Sequence, residues 1–314
     1  MSNITIVGSV ALDSVRTPLG EVTEALGGSA THASMSASFF SPVNLVGVVG
    51  TDFPEAHVEL FRSRKVNLEG LQRVEGKTFR WKGYYDHDLN TAHTLLTDLN
   101  VFADFHPRLP ESYVSSDYLF LGNIDPELQS LVLDQIAKPK LVVCDTMNFW
   151  ITGKRAALIE TLKRVDIVLL NEGEARQLCE TNNLLKAARR VLELGPKAVI
   201  IKKGEDGAML VQDNGHIFIS PTYPIEEVAD PTGAGDSFAG GFLGYLAYTD
   251  DLSNENIRRA IIVGSVMASF NVEMFSCDRL RTLSHDEILK RYNILRKMSG
   301  FEKLSADTFE PAFA

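Results

Sequence analysis

Six short apolar runs, rich in β-branched residues, alternate along this 314-residue chain with longer segments of helical periodicity. Runs that are apolar at nearly every position are typical of strands buried on both faces of a parallel sheet. The predicted strands are residues 4–7, 43–49, 118–121, 141–144, 167–170 and 199–201. The alternation predicts an α/β fold, a doubly wound and mostly parallel sheet with helices on both faces.

The segments between and after these strands carry the spacing expected of helices. Five of them fall between predicted strands, and three more follow the last one. The predicted helices are residues 29–40, 55–65, 127–137, 172–180, 184–194, 236–248, 255–270 and 285–298. We expect residues 1–300 to form one large domain, and residues 301–314, which show no strong periodicity, to form a C-terminal tail.

Residues 78–85 break this pattern, because apolar and charged side chains alternate along them. Such alternation predicts a half-exposed strand, and residues 91–96 are its predicted partner. Residues 15–26 are also short and irregular in pattern. Together these pieces predict a small β-flap attached to the main sheet, made of about residues 14–26 and 76–98. A hairpin without any role in catalysis is the alternative interpretation.

The composition argues against several classes of protein. The formal net charge is −10, so the chain has no overall basic field with which to bind nucleic acid or an anionic membrane. The three cysteines are far apart, and the histidines show no metal-ligand spacing. No apolar run approaches the roughly 18 residues of a membrane span, and the first residues do not resemble a secretory signal. We therefore expect a cytoplasmic protein.

The most informative segment is residues 229–242, which read ADPTGAGDSFAGGF. Pro231 and Gly233 interrupt regular structure, and helical periodicity starts near Gly235. A glycine loop that runs into a helix presents unpaired N–H groups at the positive end of the helix dipole, which is an anion site. Asp236 lies in the first turn, where its carboxylate could take a proton from a hydroxyl that attacks phosphorus. Simple helix capping by Asp236 is the alternative.

This segment closely resembles the C-terminal signature D-T-x-G-A-G-D of the ribokinase-like (PfkB) carbohydrate kinase family, with Pro231 at the second position. The resemblance extends from about Ile4 to Leu280. Further motifs match in the same order at residues 27–33, 48–52, 171–174 and 202–207. The resemblance implies a ribokinase-like fold whose flap acts as a lid. It also implies transfer of the ATP γ-phosphoryl group to an alcohol group of a sugar or polyol.

The resemblance assigns catalytic and acceptor-binding roles to residues of this chain. It implies that Asp236 is the base that activates the substrate hydroxyl. The implied anion hole consists of Gly233, Ala234 and Gly235. The implied acceptor-binding residues are Asp13, Gly27, Gly28 and His32. Because His32 stands where the family commonly has an asparagine that touches the sugar, a substrate contact and simple packing both remain open for it.

The resemblance also implies a nucleotide side with its own ions. The implied nucleotide-binding residues are Asn171, Glu174, Lys202, Gly204 and Gly207. Glu174 is implied to position Mg²⁺ through water, although Asn171 and Glu174 also fit a capping box, and the two roles are compatible. Asp230 and Thr232 match positions that bind a monovalent cation in many members, which makes K⁺ a candidate activator. Ser276, where glycine is common, departs from that pattern.

Three functions remain open. A kinase of sugars or polyols is the main prediction, a nucleoside kinase of the same fold is the alternative, and a non-catalytic sensor of sugar or nucleotide is the third. The complete anion loop argues against the sensor. The predicted partners are ATP and a small-molecule sugar, polyol or nucleoside, and a homodimer through the flap is compatible with the resemblance. Residues 145–150 follow a predicted strand and are a candidate for the pocket wall, although aromatic residues lie more often in the core.

Overall fold

Nine strands form one large sheet in the computed structural model, which describes residues 2–300. From one edge to the other they are β13 (Ile217–Ser220), β12 (Ala208–Gln212), β11 (Ala198–Lys202), β10 (Ile167–Asn171), β9 (Leu141–Asp145), β8 (Tyr118–Leu121), β1 (Ile4–Val7), β4 (Val43–Gly50) and β5 (Val66–Val74). The seven strands β11, β10, β9, β8, β1, β4 and β5 are all parallel to one another. The hairpin of β12 and β13 continues the sheet beyond β11 in antiparallel orientation. The predicted mostly parallel sheet is confirmed, and each of the six predicted strands ends within one residue of its observed bounds.

The helices connect these strands and follow the last of them. They are α1 (Ser29–Ala37), α2 (Glu55–Ser63), α3 (Pro126–Leu133), α4 (Asn148–Gly153), α5 (Arg155–Leu162), α6 (Glu172–Cys179), α7 (Leu184–Leu192), α8 (Ala234–Thr249), α9 (Asn254–Asn271), α10 (Asp278–Thr282) and α11 (His285–Met298). All eight predicted helices are present, whereas α4, α5 and α10 were missed because segments of one or two turns show too little periodicity. Within residues 2–300, no helix combines the length and the apolar character needed to cross a membrane. The tail expected at residues 301–314 lies outside the described residues.

Helices cover both faces of the large sheet, so its strands are buried on both sides. Alternate residues of β10 belong to different apolar cores. Ile167 and Leu169 lie in the core that includes Phe242 of α8, whereas Val168 and Leu170 lie in the core that includes Leu178 of α6. A strand with two apolar faces has no reason to alternate, which explains the continuous apolar runs in the sequence.

A second, four-stranded sheet forms the flap. Its strands, in order, are β3 (Gly20–Gly27), β2 (Ala11–Thr17), β6 (Phe79–Tyr85) and β7 (Ala92–Asp98). The predicted neighbours β6 and β7 are paired, in antiparallel orientation, and β2 joins them to β3. Residues 15–26, which were assigned to the flap without strand bounds, lie in the hairpin of β2 and β3. Most side chains of β3 are exposed or only half-buried, so no alternating pattern marks this strand in the sequence.

Candidate active site

The predicted site residues collect at the carboxyl ends of the parallel strands. Asn171 is the last residue of β10 and Lys202 is the last residue of β11. Asp13 lies in β2, just beyond the end of β1. Ligands of open α/β sheets bind at this edge, in the crevice where connections leave toward opposite faces. The topology therefore brings residues from distant parts of the chain to one cleft.

The anion loop (Gly233, Ala234 and Gly235) leads into the first turn of α8. Gly233 has a φ of 75°, a left-handed conformation that glycine adopts readily and other residues rarely do. A Cβ at Gly233 would also overlap the imidazole ring of His32. The N–H of Gly235 donates no hydrogen bond to another backbone group of residues 2–300. It is therefore free to bind an anion, with the positive end of the α8 dipole behind it.

Asp236 follows the anion loop as the third residue of α8. Its pKa is raised to about 7, first by the removal of the carboxyl group from water and then by the negative charge of Asp145, while Lys202 acts in the opposite direction. A base whose pKa lies near the working pH is effective, because it is largely ionised and still holds the transferred proton well. The position and the pKa of Asp236 both suit general-base catalysis.

Asp13 forms the other side of the cleft and is almost fully buried. Burial raises its pKa to about 7, and the charges of Asp230 and Asp236 act in the same direction, while the N–H of Gly28 lowers it. A Cβ at Gly27 would overlap the Asp13 carboxylate. Glycine is therefore required at position 27, because the Asp13 carboxylate occupies the space that a side chain would need. The residues predicted to bind the phosphoryl-accepting substrate do lie together.

A narrow recess adjoins Asp13. Its polar lining consists of Asp13, His32, Asp230, Thr232 and Ser276. Its apolar lining consists of Val15, Val22, Ala25 and Leu26. Among the described residues, no lysine or arginine lines this recess. The polar groups offer mainly hydrogen-bond acceptors, and the apolar side chains belong to the flap.

The flap reaches into the cleft through Tyr85, the last residue of β6. The hydroxyl of Thr232 donates a hydrogen bond of 3.3 Å to the hydroxyl of Tyr85. The pKa of Tyr85 is raised to about 12, mainly by burial and further by the nearby Asp230 and Asp13. We did not single out Tyr85 as a site residue from the sequence, since its place beside the anion loop depends on how the two sheets pack.

The ammonium group of Lys202 lies next to Gly235 of the anion loop. Its Nζ is 2.6 Å from Asp145 Oδ2 and 3.0 Å from the position that a Cβ on Gly235 would take. Burial disfavours the charge of the ammonium group, but Asp145, Glu174 and Asp236 together hold the pKa of Lys202 above its usual value. Asp145 was predicted only as part of a candidate pocket wall at residues 145–150, without a role in the site. It ends β9 as Asn171 ends β10, and a polar residue at the carboxyl end of an apolar strand is the signal that could have identified it.

Asn171 and Glu174 form the capping box of α6. The N–H of Glu174 donates to Asn171 Oδ1 at 2.8 Å, and the N–H of Asn171 donates to Glu174 Oε2 at 2.7 Å. Burial raises the pKa of Glu174 to about 7, and Asp145 adds to the effect. Glu174 Oε1 has no hydrogen-bond partner within residues 2–300. The capping role is therefore observed, and it leaves one carboxylate oxygen for a ligand.

Gly204 and Gly207 bound the turn that follows β11. Gly207 lies against the carbonyl oxygen of Ser220, where a side chain would collide, so packing alone explains why this position is a glycine. Gly204 instead faces the tip of the flap, where Asn90 Oδ1 lies 3.3 Å from the position of an added Cβ. The flap thus spans the cleft from Asp13 to this turn, and the nucleotide-binding roles of both glycines stay predictions.

Asp230 organises the loop before α8 through both of its oxygens. Oδ1 accepts a hydrogen bond of 2.9 Å from the N–H of Thr232, and Oδ2 accepts one of 3.2 Å from the N–H of Ser276. Ser276 has a φ of 59°, which is unfavourable for a serine. Its hydroxyl offsets this strain by donating to the carbonyl oxygen of Leu26 at 2.5 Å. Binding of K⁺ near Asp230 and Thr232 stays a prediction.

The fold and the cleft define a class of protein. A glycine loop at a helix N-terminus beside a carboxylate, under a β-flap on a mostly parallel sheet, is the arrangement of a ribokinase-like phosphotransferase. Residues 1–282 match the pfkB family of carbohydrate kinases, and the chain belongs to this family. It is a kinase of carbohydrates or nucleosides.

Individual relatives include kinases of both acceptor classes. The cytidine kinase of Thermococcus kodakarensis is 32% identical over 249 residues, which cover 77% of this chain and 88% of the relative. The crystal structure of the nucleoside kinase of Methanocaldococcus jannaschii is similar with a TM-score of 0.74 and 21% identity, covering 94% of this chain and 99% of the other. The ribokinase of Thermotoga maritima has a TM-score of 0.73 and 23% identity, with 93% and 100% covered.

Proposed function

We propose that the protein transfers the γ-phosphoryl group of ATP to a hydroxyl group of an uncharged sugar, polyol or nucleoside. The observation that carries this proposal is the position of Asp236 directly after the anion loop, in the cleft that also holds Asp13. A proton acceptor and an anion site side by side are what a hydroxyl needs in order to attack a phosphoryl group. A non-catalytic sensor would have no use for this pair.

In the proposed reaction, Asp236 accepts the proton of the substrate hydroxyl while the oxygen of that hydroxyl forms a bond to the γ-phosphorus. The bond between that phosphorus and the bridging oxygen of ATP breaks, and ADP leaves. The N–H of Gly235 in the anion loop stabilises the charge on the phosphoryl oxygens, and Lys202 adds a positive charge close to Gly235. Most of the catalysis in such a reaction comes from this positioning and charge stabilisation.

The lining of the recess decides which acceptors fit. A phosphorylated sugar needs a cation or several N–H donors for its phosphate group, and the recess presents carboxylates instead. Neutral hydroxyl groups of a substrate suit these carboxylates, because each hydroxyl can donate a hydrogen bond to Asp13. The apolar strip made by Val15, Val22, Ala25 and Leu26 gives a nucleobase a surface to lie on. Together with the similarity to a cytidine kinase, this strip favours nucleosides as the first class to test.

A coupled assay of ADP release tests the proposal. The acceptors are free sugars, polyols, nucleosides and sugar phosphates, each with ATP and Mg²⁺. We expect turnover with a nucleoside or a free sugar and none with a sugar phosphate. Turnover of sugar phosphates alone would overturn the assignment of the recess, and ATP binding without any turnover would favour the sensor.

The residues around the anion loop fit a hydrated Mg²⁺ better than a directly bound one. Within residues 2–300, no group of three or more His, Cys, Asp or Glu side chains is arranged to hold a metal. Mg²⁺ usually keeps several waters and binds through substrate phosphates, so Glu174 Oε1 and Asp145 would hold it through water. When bound, the ion would neutralise charge on the phosphates of ATP.

A Glu174→Gln variant is therefore expected to need about tenfold more Mg²⁺ for half-maximal activity, because it loses a negative charge that acts on the ion through water. The maximal rate at saturating Mg²⁺ should change less. A titration of activity with Mg²⁺ at fixed ATP measures this. Glu172→Gln, in the same turn of α6 but outside the capping box, is the control, and an equal Mg²⁺ requirement in both variants would contradict the assignment.

An Asp13→Ala variant is expected to raise the KM for the acceptor by at least about tenfold, because it removes hydrogen bonds made in the ground state and the transition state alike. The KM for ATP should remain nearly unchanged. Steady-state kinetics with one substrate varied at a time separates the two. A loss of ATP binding with normal acceptor binding would show that the two halves of the cleft are reversed.

Activity and stability are expected to respond to pH in opposite directions. Asp236 must be ionised to accept a proton, so kcat/KM should rise as pH increases through about 7. In the folded protein, Asp13, Glu174 and Asp236 have pKa values raised to about 7, above those of the unfolded chain. Their contribution to stability is therefore fully present at low pH and is lost as pH rises through about 7. Melting temperatures of the ligand-free protein should fall between about pH 4 and about pH 7 and level off above about pH 8, whereas kcat/KM should rise through about pH 7.

We propose the flap as the lid of this cleft and as the contact of a homodimer. The hydrogen bond of Tyr85 with Thr232 and the position of Asn90 near Gly204 support this proposal, and a lid there would keep water from the reacting phosphoryl group. Its edge strand β7 exposes Leu95 and Leu96 by 57% and 46%, which supports pairing with a second copy. We also place the reaction in the cytoplasm, since the three cysteines are buried free thiols.

A further inference from the structure

The shape of the anion loop depends on polar groups that lie outside the loop. Thr232, which precedes Gly233, is tied to a buried cluster built by residues of α1, α8 and α9. At the centre of this cluster is Asn271, the last residue of α9, whose exposed fraction is 0%. A buried amide has to satisfy its donors and acceptors within the protein, so its partners show what it holds in place.

The side chain of Asn271 makes three hydrogen bonds, to the loop before α8, to α8 and to α1. Its Nδ2 donates to the carbonyl oxygen of Thr232 at 2.8 Å. Its Oδ1 accepts from the Ser237 hydroxyl at 3.0 Å and lies 3.0 Å from Nδ1 of His32. Because a carbonyl oxygen can only accept, Thr232 determines which end of the amide faces it. Oδ1 then faces His32, so Nδ1 must carry the ring proton.

This tautomer determines what His32 presents to the recess. Burial lowers the pKa of His32 to about 4, although Asn271 opposes the change, so the ring is neutral near pH 7. With the proton on Nδ1, Nε2 is a bare acceptor. Nε2 is buried and has no partner within residues 2–300, and the ring lines the recess beside Asp13. The same ring packs against Gly233, where it occupies the space of a side chain.

We propose that Asn271 is a positioning residue for phosphoryl transfer. It holds the Thr232 carbonyl and the His32 ring in place. Through the carbonyl it fixes the position of the anion loop, and through the ring it points Nε2, a hydrogen-bond acceptor, toward a hydroxyl of the substrate. The inference rests on the proposed function, because it gives Asn271 a part in that reaction. A displacement of about 1 Å at a reacting group can cost on the order of 10² in rate, so small changes in this network have measurable effects.

The isosteric variant Asn271→Asp tests the proposal. It keeps an oxygen toward His32 and Ser237 but places a second oxygen against the Thr232 carbonyl, which pushes the loop away. Asn256→Asp is the matched control. Asn256 is 2% exposed, lies at the opposite end of α9, and donates from Nδ2 to the carbonyl oxygen of Asp251 at 2.8 Å. Both variants place a carboxylate oxygen against a backbone carbonyl oxygen, and only one does so beside the anion loop.

We expect Asn271→Asp to lower kcat by about 10- to 100-fold, with the KM for ATP and for the acceptor changed by less than about threefold. Asn256→Asp should keep the kcat of the unchanged enzyme. If Asn271→Asp does not fold, Ser237→Ala removes one bond of the amide and should lower kcat by about threefold or more. An unchanged kcat in the folded variants would overturn the proposal.

A spectroscopic measurement separates this inference from the proposed function. In protein with ¹⁵N-labelled histidine, the resonances of His32, assigned with His32→Asn, should show the Nδ1–H tautomer near pH 7. An Nε2–H tautomer would overturn the network whatever the activity. If no acceptor is phosphorylated, the proposed function fails while the tautomer still reports on Asn271. If the enzyme is active and Asn271→Asp behaves like Asn256→Asp, the inference alone fails.

Discussion

An Asp236→Asn variant is expected to lose about 10²- to 10⁴-fold in kcat, because an amide of the same shape cannot accept the proton of the substrate hydroxyl. Its affinity for ATP should change little, since the anion loop is made of backbone groups. The melting temperature should not fall. The carboxyl group of Asp236 is held out of water next to Asp145, and the neutral amide removes that unfavourable charge.

Rapid-quench kinetics with the best acceptor, together with calorimetric titration of ATP, measures both expectations for Asp236→Asn. Asp213→Asn on the exposed hairpin between β12 and β13 is the control for the chemical change itself, and it should behave like the unchanged enzyme. A well-folded Asp236→Asn enzyme with full kcat would show that another group takes the proton. The pH dependence adds a second check, because the rise of kcat/KM through about pH 7 should disappear from the residual activity of the variant.

A Lys202→Met variant is expected to lose both stability and activity. Lys202 is 16% exposed and its partner Asp145 is 6% exposed, so the variant leaves a buried carboxylate without a counter-charge. Removing one member of a buried pair typically costs about 3–5 kcal/mol. Lys202 also lowers the pKa of Asp236 and of Glu174. Without it both values rise, so the acid limb of kcat/KM should move to higher pH.

Denaturant titration and a pH profile of kcat/KM test this expectation for Lys202→Met. Lys197→Met is the matched control, because Lys197 pairs with Asp166 at 2.8 Å while its side chain is 74% exposed. An exposed pair of this kind contributes about 0–1 kcal/mol, so the control should stay close to the unchanged enzyme. The double variant Asp145→Leu/Lys202→Met should recover stability but not activity. Normal kcat/KM in Lys202→Met would remove this residue from the reaction.

Several elements could be predicted because their signals are local. The strands β1 and β8 were predicted with their observed bounds, since a strand that is buried on both faces is apolar at each position. The start of α8 was predicted because Pro231, Gly233 and Gly235 constrain the backbone wherever the rest of the chain lies. The segment of β2 and β3 was assigned to the flap, but its two strands were not resolved, because exposed side chains on β3 carry no pattern.

The sequence by itself determined the alternation of six buried strands with eight helices, the anion loop and the place of Asp236 after it. Apolar periodicity and glycine conformation act over a few residues, so they can be read without the fold. Only the tertiary structure decided that Asp145 would pair with Lys202, that Tyr85 would reach Thr232 and that Asn271 would orient His32. These contacts join residues that are distant along the chain, and the pKa values depend on burial that the packing of two sheets and their helices creates.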